Sequence, residues 1–103
     1  MVFTPATVVP QNAISFGGEW TLAGQIASAG MGAQLLLHFH AKDVYIVLGG
    51  RGRVTVRLGG KPLRPIDVDA DRLYTVLTSR ETRDGLLQLS FAPGVRAYSF
   101  TFG

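Results

Sequence analysis

The sequence predicts an all-β fold: an antiparallel β-sandwich of the jelly-roll type with about eight strands. Three observations predict it. Runs of Val, Ile, Leu, Phe and Thr alternate with polar residues at period two, which marks strands with one buried face. Thirteen Gly and five Pro punctuate 103 residues, giving turn signals about every 8–12 residues. No segment holds a helical period over three turns, so no helix is expected.

The elements follow in order. The opening "MVFTPATVVPQNA" carries Pro5 and Pro10 and reads as the tail of a linker, residues 1–11, with the folded domain over 12–103. "ISFGGEWTLAGQ" is a strand interrupted by Gly17 and Gly18. "IASAGMGA" is expected to be a loop of small residues. In "QLLLHFH", Leu35, Leu37 and Phe39 fall on one face and Leu36, His38 and His40 on the other. After a bend at "AKD", Val44, Ile46 and Leu48 oppose Tyr45 and Val47. "GGRG" turns into "RVTVRL", where Val54, Val56 and Leu58 alternate with Thr55 and Arg57. "GGKP" is the next turn, followed by "LRPIDVDA", the strand "RLYTVLTS", a polar turn "RETRDG", the strand "LLQLSF" and the turn "APG". The last strand, "VRAYSFTFG", places Tyr98, Phe100 and Phe102 in one row that Arg96 begins. That aromatic row is expected to be core.

Composition bounds the function. Hydrophobic residues make up 47% and charged residues 17%, which suits one folded domain rather than a disordered chain. Cysteine is absent, so disulfides, thiolate ligands and thiol catalysis are excluded within these residues. The net charge of +3 comes from ten Lys/Arg against seven Asp/Glu. The cations are scattered near turns and on alternating strand positions, which describes a solvated surface and not a nucleic-acid partner. No apolar run has the length of a membrane span and no signal peptide opens the chain, so direct membrane insertion is not expected.

His38 and His40 share a strand face and are the sharpest candidates for chemistry. Metal-binding cupins resemble this stretch in Gly32, His38, His40 and Gly52. The glutamate of their first motif is replaced by Val44 or Tyr45, and the third histidine is missing, since the chain has two. Three protein ligands are needed for an open catalytic site, so no metal and no cofactor are expected, and a cupin-like metal protein is the weakest of three readings. Asp67, Asp69 and Asp71 alternate as calcium ligands can, but Arg72 occupies the loop position that needs Gly. "GGRG" joins two strands without a following helix and is a hairpin, not a phosphate cradle. The serines lack a nucleophile-elbow context, and Glu19 and Glu81 fall near turns. No catalytic set emerges, and the chain is not expected to be an enzyme. Aromatic rings stack on sugar faces while polar groups bind hydroxyls. Trp20, His38, His40 and Tyr45 are therefore the expected carbohydrate-binding residues.

The stretches "HFHAKDVYIVLGGRGRVTV", "DADRLYTVLTS" and "PGVRAYSFTFG" resemble the C-terminal domain of DipZ-type thiol:disulfide interchange (cytochrome c biogenesis) proteins, over most of residues 14–103. In that family a membrane part precedes a thioredoxin-like domain and then a sandwich similar to carbohydrate-binding modules. The resemblance implies an extracytoplasmic, non-catalytic accessory domain with carbohydrate and the thioredoxin-like domain as partners. The redox chemistry belongs to a Cys-x-x-Cys that this chain does not contain. The alternative is a structural domain that docks on the thioredoxin-like neighbour without binding glycan.

Overall fold

The computed structural model describes residues 2–3, 14–24 and 26–102. Among the described residues there are nine strands: β1 (Val2–Phe3), β2 (Ile14–Ala23), β3 (Ile26–Ala29), β4 (Gln34–Gly49), β5 (Gly52–Leu58), β6 (Lys61–Pro62), β7 (Ile66–Val68), β8 (Arg72–Phe91) and β9 (Arg96–Phe102). Every pairing among them is antiparallel, and the architecture is the expected jelly-roll β-sandwich. Of the expected linker, Val2 and Phe3 pair with Glu19 and Gly18; residue 1 and residues 4–11 lie outside the described residues.

Two long strands make the sandwich. β4 and β8 pair along nearly their whole lengths, from Gln34↔Ser90 to Leu48↔Arg72. The register shifts between Ala41 and Asp43, where the single residue Lys42 stands against four residues, 79–82, of β8. An uneven count of this kind bends both strands and raises their twist. Before the shift they form a first layer with residues 14–17 of β2 and with β5, which β6 and β7 flank. Beyond it they form a second layer with β9, which in turn pairs with β3. The segment "RETRDG" is therefore no turn between strands. Its exposed polar residues lie within β8 at the bend, where the chain changes layer across the register shift.

The core faces are those the alternation predicts. Leu35, Leu37 and Phe39, then Val44, Ile46 and Leu48, are buried, as are Val54 and Val56. Opposite residues on adjacent strands share a face, so Leu35 meets Leu89 and Leu37 meets Leu87. Each such side chain contributes about 1.5–3 kcal/mol when fully buried.

Two further expectations need correction. "IASAGMGA" includes β3, not only loop. Its Ala27 and Ala29 are buried, and small side chains let this short strand pass between β2 and β9, pairing with both. The aromatic row of β9 is also split. A register shift between Val47 and Leu48 leaves Tyr98 as an extra residue, with Ser99 opposite Val47 and Ala97 opposite Leu48. Phe100 and Phe102 lie opposite the buried Ile46 and Val44, whereas the Tyr98 hydroxyl reaches Asp71, beside Arg96. Ala97 is the buried side chain of this strand; Phe100 only packs against the core and Phe102 is exposed.

Candidate functional site

The outward face of the first layer is a lattice of polar side chains. Its register follows from alternation and from the pairings. One rung runs Thr55, Ser90, Gln34 and Gly17; the next runs Arg57, Gln88, Leu36 and Ser15. Below them Leu86 faces His38 and Asp84 faces His40. Three cross-strand contacts hold the lattice. Gln88 Nε2 donates to Gln34 Oε1 at 2.7 Å. His38 Nε2 lies 3.3 Å from Asp84 Oδ2, and His40 Nδ1 lies 3.9 Å from Asp84 Oδ1. Arg57 has no ion-pair partner among the described residues.

His38 and His40 thus converge on a carboxylate, as a metal site would need. Asp84 is set against the ring nitrogens themselves, at the distance of an ion pair or hydrogen bond. Among the described residues no three His, Asp or Glu side chains are arranged to hold a metal ion. The three alternating aspartates do not converge either. Arg53 Nε donates to Asp67 at 3.0 Å, Arg72 lies 3.8 Å from Asp69, and Arg96 Nη2 donates to Asp71 at 3.1 Å. Each is held by its own guanidinium.

The four candidate sugar contacts separate into three places. His38 and His40 stand together on the lattice. Tyr45 lies beyond the bend, on the outer face of the second layer, flanked by Thr75 and Thr101. Trp20 offers no platform: its side chain is fully buried. It packs edge-on against Phe16 and Phe91, with ring centroids 5.4 and 5.1 Å away. Its indole N–H, the one polar group burial would strand, donates to Gly17 O. Sequence reasoning missed Gln34, Gln88, Asp84 and Arg57. The signal was present as outward alternation in "QLLLHFH" and "DGLLQLS", but only the cross-strand register shows that the two rows are neighbours.

A second feature is apolar. A cleft of about 250 Å³ opens between β2, β3 and β9, with Phe16, Leu22, Ile26, Ile46 and Phe100 among its walls.

The sequence profile of a family described as "Thioredoxin like C-terminal domain" matches residues 1–103. Protein DipZ of Mycobacterium bovis is 33% identical over 103 residues, covering 99% of this chain and 15% of its own length. Protein DipZ of Mycobacterium tuberculosis gives the same figures. The chain therefore spans about 15% of the curated relatives it matches. Among solved structures, a family two carbohydrate esterase from Clostridium thermocellum in complex with cellohexaose is similar with a TM-score of 0.76 and 20% identity, over 88% of this chain and 31% of that one. The secreted serine protease VesC from Vibrio cholerae is similar with a TM-score of 0.65 and 12% identity, over 92% of this chain and 25% of that one. At these identities the likeness to solved structures is one of fold.

Proposed function

Because the chain belongs to the thioredoxin-like C-terminal domain family, as the C-terminal domain of a DipZ-type protein, we propose that it is a non-catalytic, carbohydrate-binding-module-like accessory domain on the extracytoplasmic side of its membrane. The observation that carries this reading is the polar lattice of the first layer. Neighbouring strands lie about 4.8 Å apart, so each rung presents hydroxyl, amide, imidazole or guanidinium groups at short, regular intervals. A polyhydroxylated chain offers donors and acceptors on the same scale, and Gln, Ser, Thr, Asp and His supply both kinds. The lack of cysteine supports an accessory role, with any disulfide exchange left to another part of the parent protein. The fold's likeness to part of an esterase solved with cellohexaose supports testing glucan chains first.

Oligosaccharide titration followed by backbone and side-chain NMR tests the reading. Shifts are expected at Gln34, His38, Asp84 and Gln88, and Gln88→Ala should weaken binding at least several-fold. Binding of an accessory domain of this type is expected in the range of about 1 mM or tighter. No shift at that concentration across a panel of neutral and acidic glycans, or shifts confined to other faces, would defeat it.

The apolar cleft favours a second reading, docking on the thioredoxin-like neighbour, which does not depend on glycan binding.

A further inference from the structure

Large apolar side chains crowd one opening of the sandwich. Ile14, Leu22, Ile26 and Phe102 are all exposed, Leu22 to 47% and Phe102 to 43%. Contiguous exposed apolar surface of this kind marks interaction sites. The backbone beside it has a matching property. β3 pairs with β9 only at Ala27↔Ala97 and Ser28↔Arg96. Beyond that point residues 99–102 pair with β4 on one side, and among the described residues no strand covers the other. The open edge reads Ser99, Phe100, Thr101, Phe102. It has none of the charges, prolines or bulged residues that blunt exposed edges; the extra residue, Tyr98, comes just before it. Ser99 and Phe100 belong to the wall of the cleft. A strand edge that no other described strand covers thus adjoins the apolar cleft.

Recognition by strand addition uses these two parts together: main-chain hydrogen bonds along an edge and a pocket for an alternate side chain. We propose that β9 and the cleft take an extended apolar segment of the thioredoxin-like domain joined to this one in the parent protein. The segment adds as a strand beside β9 and places one apolar side chain in the cleft. This rests on the docking reading and is independent of the glycan reading. Two observations select that occupant. The domain is the C-terminal piece of a longer polypeptide in its family. Val2 and Phe3 pair with Glu19 and Gly18 of β2, the strand that gives Phe16 and Leu22 to the cleft. A tethered neighbour works at an effective concentration of order mM, and surfaces between domains of one chain are accordingly small.

Hydrogen exchange decides it, measured on the 103-residue chain and on the parent protein containing both domains. Amides of residues 99–102 are expected to exchange roughly tenfold more slowly in the parent. Leu22→Asp in the parent should abolish that gain, while residues 35–39 stay as protected as in the wild type. Phe102→Asp serves the same purpose should Leu22→Asp fail to fold. Equal exchange of residues 99–102 in the two proteins overturns the proposal. Protection that appears in the 103-residue chain as its concentration rises also overturns it, by identifying a second copy as the occupant. So does protection gained instead on the polar lattice.

Discussion

Trp20 donates its indole N–H to the carbonyl of Gly17 at 2.9 Å, across the point where β2 changes partner. Up to Gly17 the strand pairs with β4; from Trp20 it pairs with β3. The ring fills the space beneath that crossing, between Phe16 and Phe91. Trp20→Ala removes this packing and leaves Gly17 O without its donor. It should cost about 3–5 kcal/mol, a large part of the 5–15 kcal/mol typical of a domain, roughly speaking. Trp20→Phe, which keeps the ring packing and loses the hydrogen bond, should cost about 1–3 kcal/mol. Urea denaturation of both variants checks this, and unchanged stability in Trp20→Ala would contradict the buried placement.

Two glycines that face each other across this crossing should respond differently to the same change. A Cβ on Gly18 would lie 2.0 Å from the carbonyl oxygen of Gly32, with φ at +77°. Backbone cannot yield that distance cheaply, so Gly18→Ala should cost more than about 3 kcal/mol. Gly32 also has positive φ, +62°, but nothing within 4 Å of its would-be Cβ. Gly32→Ala should therefore cost only the left-handed backbone term, about 1–2 kcal/mol. Parallel thermal melts compare the two, and equal losses would show that φ alone sets the cost at both.

Tyr74 organises the loop ahead of β8. Its buried ring carries a hydroxyl that donates to Ala70 O at 2.7 Å and accepts from the backbone N–H groups of Asp69 and Ala70 at 3.2 and 3.3 Å. Arg72 lies over the ring, 4.0 Å from its centroid. Tyr74→Phe keeps the ring and removes every bond to the loop. The expected loss is about 1–3 kcal/mol, with faster amide exchange at Asp69 and Ala70 in hydrogen-exchange NMR. Slow exchange there in the variant would mean that other contacts hold the loop.

The sequence made the fold legible wherever side-chain period decided it. Leu35, Leu37, Phe39, Val54 and Val56 were readable as inward because a strand has one period and one buried face. It failed where three-dimensional pairing overrides local signals. Ala27 and Ala29 lack strand character alone and become strand because β2 and β9 supply partners on both sides. The polar run at residues 80–84 looks like a turn because bulges and turns want the same exposed residues. In the candidate site, His38 and His40 were readable as neighbours on one strand. Asp84 was not, since 44 residues separate it from His40 and only the β4–β8 register joins them. Trp20 misled for a chemical reason: an indole suits a sugar platform and a core equally, and only burial separates the two.

The carboxyl-terminal strand gives the last test. Although chain ends often fray, β9 lies between β3 and β4, and residues 99–102 cover the β4 segment that carries Val44 and Ile46. Removing residues 98–103 takes away Phe100, which packs against the core, and the Tyr98 hydroxyl on Asp71. It also uncovers the buried Val44 and Ile46 and leaves four positions of β4 without a strand partner on that side. Loss of the Phe100 contact alone is about 1.5–3 kcal/mol, and each newly unpaired backbone group that water cannot reach adds about 1–3 kcal/mol. That total rivals the stability of a whole domain, about 5–15 kcal/mol, so the chain ending at Ala97 should show no cooperative thermal transition. Phe102→Ala, by contrast, removes a side chain already exposed to 43% and should cost only about 1 kcal/mol. A truncated chain that melts near the full-length temperature would place the whole contribution of residues 98–102 outside folding and leave partner binding as their role.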